Sequence, residues 1–356
     1  MKIMKAIFQI LFLLFITTNS YAEINTASFS CPKELNCTDS NILVTAISRG
    51  SIYIDGIYTG KKTPNMVSLS NGEHVISVGL EHERQYLKKT VSIVNQSKTN
   101  IHLTKEDKQS PSLWKALFVG VPTAYGESVK GQCSTNFSRQ DLDDAYDFFK
   151  LNMKEHIEPF SYNTVKWQID RRDLTKPVEL THNENNGWYT LEAAQGLAEL
   201  DNVKPGEYDT VFFFWREEEG DCSFKSSYFG LAWLEPTSDE ARQTGYVTVK
   251  FNPGTIDVAA RIKQYLAEDP GVWTHEWLHV VIEQFYPNLQ VKTPIPPKDK
   301  LILHAAGAYG YKYPWLDWYK DLISGQVPLG KGYSGIGPEA LLSCSVRRYA
   351  LKQCVD

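Results

Sequence analysis

The stretch Trp273-Thr-His275-Glu276-Trp-Leu-His279-Val-Val decides how the C-terminal half of this chain is interpreted, because it contains the pattern H-E-x-x-H within an apolar run. The run follows Asp269-Pro-Gly271 and ends before Pro287, so the sequence predicts a helix between these two breaks. Four residues rotate a helix by about 400°, which places His275 and His279 on one face, one turn apart. Two imidazole nitrogens in this arrangement can bind one zinc ion at about 2.0 to 2.1 Å.

Glu276 lies beside these histidines without being a ligand. Its carboxylate can take a proton from a zinc-bound water, whose pKa the metal lowers towards about 7, and pass it to the leaving amine. With eight histidines in the chain, chance would produce the motif in roughly one such sequence in a hundred. The helical context favours a catalytic zinc site over the alternative, which is a structural or inactive pair of half-buried histidines.

The motif and its helix resemble the active-site helix of the zincin metallopeptidases. The resemblance implies peptide hydrolysis by zinc-activated water and a mixed sheet that lies over the helix. It also implies an edge strand that binds the substrate by strand addition, for which residues 228–234 and 246–252 are the candidates. The metzincin continuation would need Gly at 282 and His at 285, but the chain has Ile282 and Phe285.

The third zinc ligand is predicted to be His304. This residue lies 25 positions after His279, in the small-residue segment Leu-His304-Ala-Ala-Gly, which can approach a metal closely. Asp317, in the manner of the aspzincins, is the second choice. Glu339 would follow the gluzincin pattern, but the Asp expected four residues later is missing. A lone histidine beside alanines is normally a core residue. His275 and His279 alone would make an incomplete zinc site, however, and for this reason we favour His304 as the third ligand.

Four tyrosines crowd the segment after His304, at positions 309, 311, 313 and 319. A phenol near the metal can hydrogen-bond the oxyanion of a tetrahedral intermediate, and Tyr311 is our candidate for this catalytic role. Glu283, one turn after His279, can orient the ligating imidazole, and an exposed surface position is the alternative that we favour.

The segment from about residue 43 to residue 103 has a different pattern, in which short alternating runs are broken by turn residues. Asp55-Gly56 and Asn71-Gly72 are typical of tight turns between such strands. We therefore predict a small antiparallel β-sandwich within residues 23–104, followed by a polar linker at 105–112. The segment resembles the PEGA domain in four short motifs: Ile54-Asp-Gly56, Tyr58-Thr-Gly60, Thr63-Pro64 and Gly72-Glu-His74. The resemblance implies a non-catalytic module for attachment to the cell envelope or surface, or for positioning.

Composition limits the partners and the compartment. The 356 residues include 37 basic and 42 acidic side chains. Without an excess of positive charge, the protein has no electrostatic field that would hold a polyanion, so nucleic acid is not an expected partner. Residues 1–22 combine two early lysines, a short apolar run and a small residue at the expected cut, as secretory signal peptides do. No later segment is apolar enough to cross a bilayer. We therefore expect a secreted or periplasmic protein.

Six cysteines follow the predicted signal peptide, an even number that is consistent with disulfides in an oxidising compartment. Six thiols allow fifteen pairings. Sequence proximity favours Cys31 with Cys37 and Cys344 with Cys354, which leaves Cys133 for Cys222.

Residues 113–356 mix helix and strand patterns. We predict helices at 141–158 and 191–200, and strands at 113–121, 165–169, 210–215, 228–233 and 246–251. The fold class is therefore α+β, with a zincin-like C-terminal domain of a mixed sheet plus the active-site helix. The predicted function is that of an exported zinc-dependent peptidase acting on a peptide or protein substrate. The alternative is a non-catalytic cell-envelope binding protein in which zinc is structural or absent.

Overall fold

The structure is a computed structural model that describes residues 40–94, 99–191, 203–204, 206–235, 244–254, 256–289 and 303–354, with the single positions 196 and 198. The predicted signal peptide, the proposed Cys31–Cys37 pair and most of the helix predicted at 191–200 lie outside the described residues. Within the described part, no helix is both long enough and apolar enough to cross a membrane.

The N-terminal part is a β-sandwich of two small sheets. Its strands are Ser40–Ala46, Ser51–Ile54, Ile57–Lys62, Asn65–Leu69, Gly72–Leu80, Gln85–Ile93 and Thr99–Leu103. One sheet has three strands and the other has four. The inner faces of the two sheets bury one apolar cluster, which includes Ile42, Val44, Ile52, Val78 and Leu87.

The turn predicted at Asp55-Gly56 is present, since both residues have positive φ angles of 50° and 81°. The prediction of a wholly antiparallel sandwich was wrong for one strand pair, because Ser40–Ala46 runs parallel to Thr99–Leu103. These strands are far apart in the chain, so no tight turn sets their relative direction. The predicted linker is an ordered connection, in which Lys105–Asp107 forms a 3-10 turn and Ser112–Gly120 already belongs to the next sheet.

The C-terminal part is built on one five-stranded mixed sheet. Its order in space is Val165–Asp173, Ser112–Gly120, Thr210–Arg216, Thr244–Phe251 and Gly230–Glu235. The first four strands are parallel, and the fifth is antiparallel to its neighbour. Every residue of Thr244–Phe251 is buried, as expected of a parallel strand covered on both faces. Of the two predicted candidates, Gly230–Glu235 therefore lies at an edge of the sheet, and the alternative at 246–252 was wrong.

Helices cover one face of this sheet. The helix predicted at 141–158 is found as Arg139–Leu151, which begins at a capping box formed by Ser138 and Asp141 and continues through a π-helical turn at Asn152–Ile157. The other helical segments are Glu158–Phe160, Val258–Glu268, Val272–Leu278, His279–Phe285, Tyr286–Asn288, Leu303–Tyr309, Leu316–Ser324, Pro338–Ser343 and Val346–Ala350.

Short strands cover the opposite face and the periphery. They are Thr123–Ser128, Gly131–Asn136, Val178–Glu179, Thr181–Asn183, Trp188–Thr190, Glu218–Glu219, Cys222–Ser223, Val327–Leu329 and Gly332–Ser334. Disulfides join Cys133 to Cys222 and Cys344 to Cys354, which are two of the three pairs predicted from proximity. The described chain is thus a mixed α+β fold with several sheets.

Candidate metal centre

Three histidines meet above the sheet. Nε2 of His279 lies 3.2 Å from Nε2 of His275 and 3.0 Å from Nε2 of His304. Two nitrogens on a tetrahedral zinc ion, each about 2.0 to 2.1 Å from the metal, lie roughly 3.3 Å from each other. Among the described residues, these three form the one group of His, Cys, Asp and Glu side chains that could hold a metal ion, with ligand atoms within 4.8 Å of one another.

The helix Val272–Leu278 presents its histidines because its other face is anchored in the core. Trp273 and Trp277 are essentially fully buried, and Trp277 contacts the rings of Trp114 and Trp167. The α-helix gives way to π-helical turns at His279, a change that is frequent at functional sites.

Each histidine of the helix has a partner on its other ring nitrogen. Nδ1 of His279 donates to Oε2 of Glu283 at 2.7 Å, and Nδ1 of His275 lies 3.1 Å from the hydroxyl of Tyr319. A carboxylate accepts only, so the proton of His279 is on Nδ1 and the lone pair of Nε2 faces the other two rings.

Glu283 also connects the helix to the segment that carries the third histidine. Its Oε1 accepts a hydrogen bond from the backbone N–H of Leu303 at 3.1 Å, one residue before His304. Glu283 therefore joins the imidazole of His279 to the backbone of the segment that carries His304. The hydrogen bond to His279 is the contact that the less favoured of the two sequence interpretations requires.

Burial favours the neutral form of two of the three histidines. It lowers the pKa of His275 to about 3, and the charges of His279 and His304 act in the same direction. Burial also lowers the pKa of His304. For His279, burial is outweighed by the hydrogen bond to Glu283 and by the charges of Glu276 and Glu283, so its pKa is raised.

Glu276 is the buried acid of the site. It is 3% exposed, and its Oε2 has no hydrogen-bond partner among the described residues. Burial raises the pKa of its carboxyl to about 7. Gly230 of the edge strand packs directly against it, because a Cβ added there would lie 2.5 Å from Oε1 and 2.8 Å from Cγ of Glu276. A free buried carboxylate oxygen beside three converging imidazoles fits a site for a metal and a reacting water.

The other candidate residues lie in different surroundings. The hydroxyl of Tyr311, the predicted catalytic tyrosine, donates to Oδ2 of Asp321 at 2.6 Å, whereas the hydroxyl of Tyr319 lies 3.1 Å from Nδ1 of His275. Asp317 is exposed at the start of its helix. Glu339 forms an ion pair with Lys88 of the β-sandwich. Neither carboxylate belongs to the histidine group.

Comparison with known proteins supports part of this picture. The PEGA domain family matches residues 40–108. No curated protein matches the chain. Among solved structures, metalloproteinase-II from Bacteroides fragilis is 8% identical, covers 64% of this chain and 74% of its own, and has a TM-score of 0.23. A similarity this low establishes no shared fold. The β-sandwich is therefore the part of the chain whose resemblance, to PEGA domains, has independent support.

Proposed function

We propose that the chain is an exported zinc-dependent peptidase, and that His275, His279 and His304 are the metal ligands. The observation that supports this most strongly is the position of Nε2 of His279, 3.2 Å from Nε2 of His275 and 3.0 Å from Nε2 of His304, which are separations near those of two ligands on one tetrahedral zinc ion. The buried carboxyl of Glu276 lies on the helix of His275. Three protein ligands leave one position open, as in catalytic rather than structural zinc sites. When bound there, zinc supplies a Lewis acid that polarises a carbonyl and lowers the pKa of a water molecule.

The residues of the chain have distinct roles in this proposal. Glu276 accepts a proton from the attacking water and delivers it to the departing nitrogen, for which a pKa raised to about 7 is well suited. Glu283 and Tyr319 hold the imidazoles of His279 and His275 in orientation. With the hydroxyl of Tyr311 bonded to Asp321, we assign it no role at the oxyanion.

The edge strand Gly230–Glu235 supplies the proposed substrate subsite. Among the described residues its one strand partner is Thr244–Phe251. On its other side, the side-chain amide of Gln284 donates to the C=O of Ala232 at 2.9 Å and accepts from the N–H of Leu234 at 3.0 Å. An extended peptide that pairs with this strand therefore has to displace the Gln284 amide. Gly230, at the start of the strand, packs against Glu276. A peptide added to this strand would therefore run past the proposed general base.

Export is proposed on the signal-like residues 1–22 and is supported by the two disulfides of the described chain. A PEGA-like domain is compatible with the secreted or periplasmic location.

The experiment that tests the proposal compares wild-type protein with Glu276→Ala in zinc content and in hydrolysis of casein or an envelope peptide. We expect full zinc content in both proteins and loss of hydrolysis in the variant. Glu268→Ala is the matched control, because Glu268 is exposed on the preceding helix and should be dispensable. Equal hydrolysis by wild type and Glu276→Ala would contradict the mechanism. A wild-type protein that binds zinc but cleaves no peptide would instead favour the non-catalytic envelope-binding alternative.

A further inference from the structure

The β-sandwich is packed against the C-terminal part through an aromatic interface. Tyr53, Tyr58 and Tyr86 of the sandwich form one buried cluster with Tyr162, which comes from the C-terminal part. Two glycines of the sandwich make room for tyrosines from the other side. A Cβ on Gly79 would lie 2.6 Å from Cζ of Tyr162. Packing this close is typical of a permanent interface and not of a domain joined by a flexible linker.

A second glycine repeats the pattern. Gly60, which has a φ angle of 75°, leaves space for the ring of Tyr333, which would lie 2.7 Å from an added Cβ. Tyr333 belongs to the hairpin of the C-terminal part formed by Val327–Leu329 and Gly332–Ser334, and its ring contacts Tyr58 at 4.7 Å between centroids. Tyr58-Thr-Gly60 is one of the motifs that carry the PEGA resemblance, so this motif, within the strand Ile57–Lys62, packs against the rest of the chain.

The hydrogen bonds of this interface converge on the helix Leu316–Ser324. The hydroxyl of Tyr53 donates to the backbone carbonyl of Ser324, the last residue of the helix, at 2.8 Å, and it accepts from the side-chain amide of Gln326 at 2.9 Å. Tyr53 and Ser324 are both buried. One turn earlier, Lys320 forms an ion pair with Glu81 of the β-sandwich.

The same helix carries the partner of a proposed metal ligand. Tyr319, next to Lys320, places its hydroxyl 3.1 Å from Nδ1 of His275. Its ring lies against Gly271, where an added Cβ would be 2.6 Å away. The β-sandwich thus holds the C-terminal end and one side chain of the helix, and the helix holds His275.

We propose that the PEGA-like β-sandwich is a positioning module of the metal centre, which acts through the helix Leu316–Ser324 and Tyr319 on the orientation of His275. This inference rests on the proposed zinc site. It assigns to Tyr53 and Glu81 a function in metal binding that their position in an accessory domain would not suggest.

The test uses the full-length chain with Tyr53→Phe and Glu81→Gln, each of which removes one contact to the helix. Residues that orient a ligating histidine directly change metal affinity by about 10- to 100-fold. Tyr53 and Glu81 contact the helix rather than a ligating histidine. We therefore expect zinc affinity, measured by chelator competition, to fall only about threefold to tenfold in each variant. Tyr319→Phe, which acts directly, should have the larger effect.

Glu339→Gln is the matched control. It removes the ion pair of Glu339 with Lys88, which also joins the two parts, but its helix, Pro338–Ser343, carries no residue of the metal centre. We expect zinc affinity in this variant to stay within twofold of wild type. The proposal is overturned if Tyr53→Phe and Glu81→Gln bind zinc as tightly as wild type while Tyr319→Phe binds it more weakly, or if Glu339→Gln weakens binding as much as they do.

A second readout separates this inference from the zinc assignment itself. In the metal-free proteins, amide hydrogen exchange in residues 316–324 should be faster in Tyr53→Phe than in wild type and unchanged in Glu339→Gln. Unchanged exchange in Tyr53→Phe would contradict the coupling. Absence of zinc binding by the wild-type chain would contradict the proposed function instead, and the exchange data would still decide whether the β-sandwich holds the helix.

Discussion

Gly230→Ala is the most specific single perturbation of Glu276, the proposed general base. The added Cβ would lie 2.8 Å from Cγ of Glu276, whereas carbon atoms in contact are normally about 3.5 to 4.0 Å apart. Either the carboxylate or the edge strand must therefore move by about 1 Å. A displacement of that size at a reacting group can cost about 100-fold in rate, equivalent to about 2.7 kcal/mol of transition-state stabilisation. The three atoms nearest to the new methyl group all belong to Glu276.

The assay measures kcat/KM on a peptide substrate together with the zinc content of the same samples. We expect Gly230→Ala to keep its zinc and to lose about 100-fold in kcat/KM. Gly307→Ala is the control, because it makes the same chemical change three residues after His304, where an added Cβ would meet nothing within 4 Å. Activity of Gly230→Ala within threefold of wild type, at full zinc content, would refute the reasoning.

Three further predictions concern the support of the site and of the fold. Glu283→Gln removes the carboxylate that orients one imidazole, so zinc affinity should fall about 10- to 100-fold in a chelator competition, and an unchanged affinity would count against this role. The hydrogen bond from Lys320 lowers the pKa of Glu81 below its ordinary 4.5, and burial opposes this only in part. The stabilisation that the ionised carboxylate of Glu81 gives the folded state is therefore present above pH 4.5 and is lost as the pH falls through the lower folded pKa. Denaturant titrations should accordingly show Glu81→Gln to be less stable than wild type at pH 7 but equal to it in strong acid. Replacing both Cys133 and Cys222 by serine opens a crosslink that spans 89 residues and should lower the free energy of unfolding by about 2 to 5 kcal/mol, and a loss below 1 kcal/mol would contradict that estimate.

The parts of the site that lie on one helix could be predicted from the sequence. The spacing of His275 and His279 fixes their common face through helix geometry alone, and the apolar residues between them identify the buried side. Glu283 follows from the same periodicity, one turn after His279. What the pattern could not show is that Glu283 is turned towards the site, since this depends on Leu303, which donates to it from a distant segment.

Contacts between distant segments were harder to predict. Tyr311 and Tyr319 could not be separated by sequence, because the choice depends on which of them faces Gly271, where a missing side chain lets a ring approach. Both candidate edge strands have suitable apolar patterns, and only the order of strands in the sheet shows that Gly230–Glu235 is the edge. The contacts of the β-sandwich with the helix Leu316–Ser324 could not be predicted either, because they depend on how the two parts pack.

The measurement that tests the central claim most directly is anomalous diffraction at the zinc absorption edge from crystals of the full-length protein grown with zinc. The account predicts one strong peak about 2.0 to 2.1 Å from Nε2 of each of His275, His279 and His304, with no fourth protein ligand. A peak bound by a different set of residues, or the absence of any peak among these three rings, would contradict it.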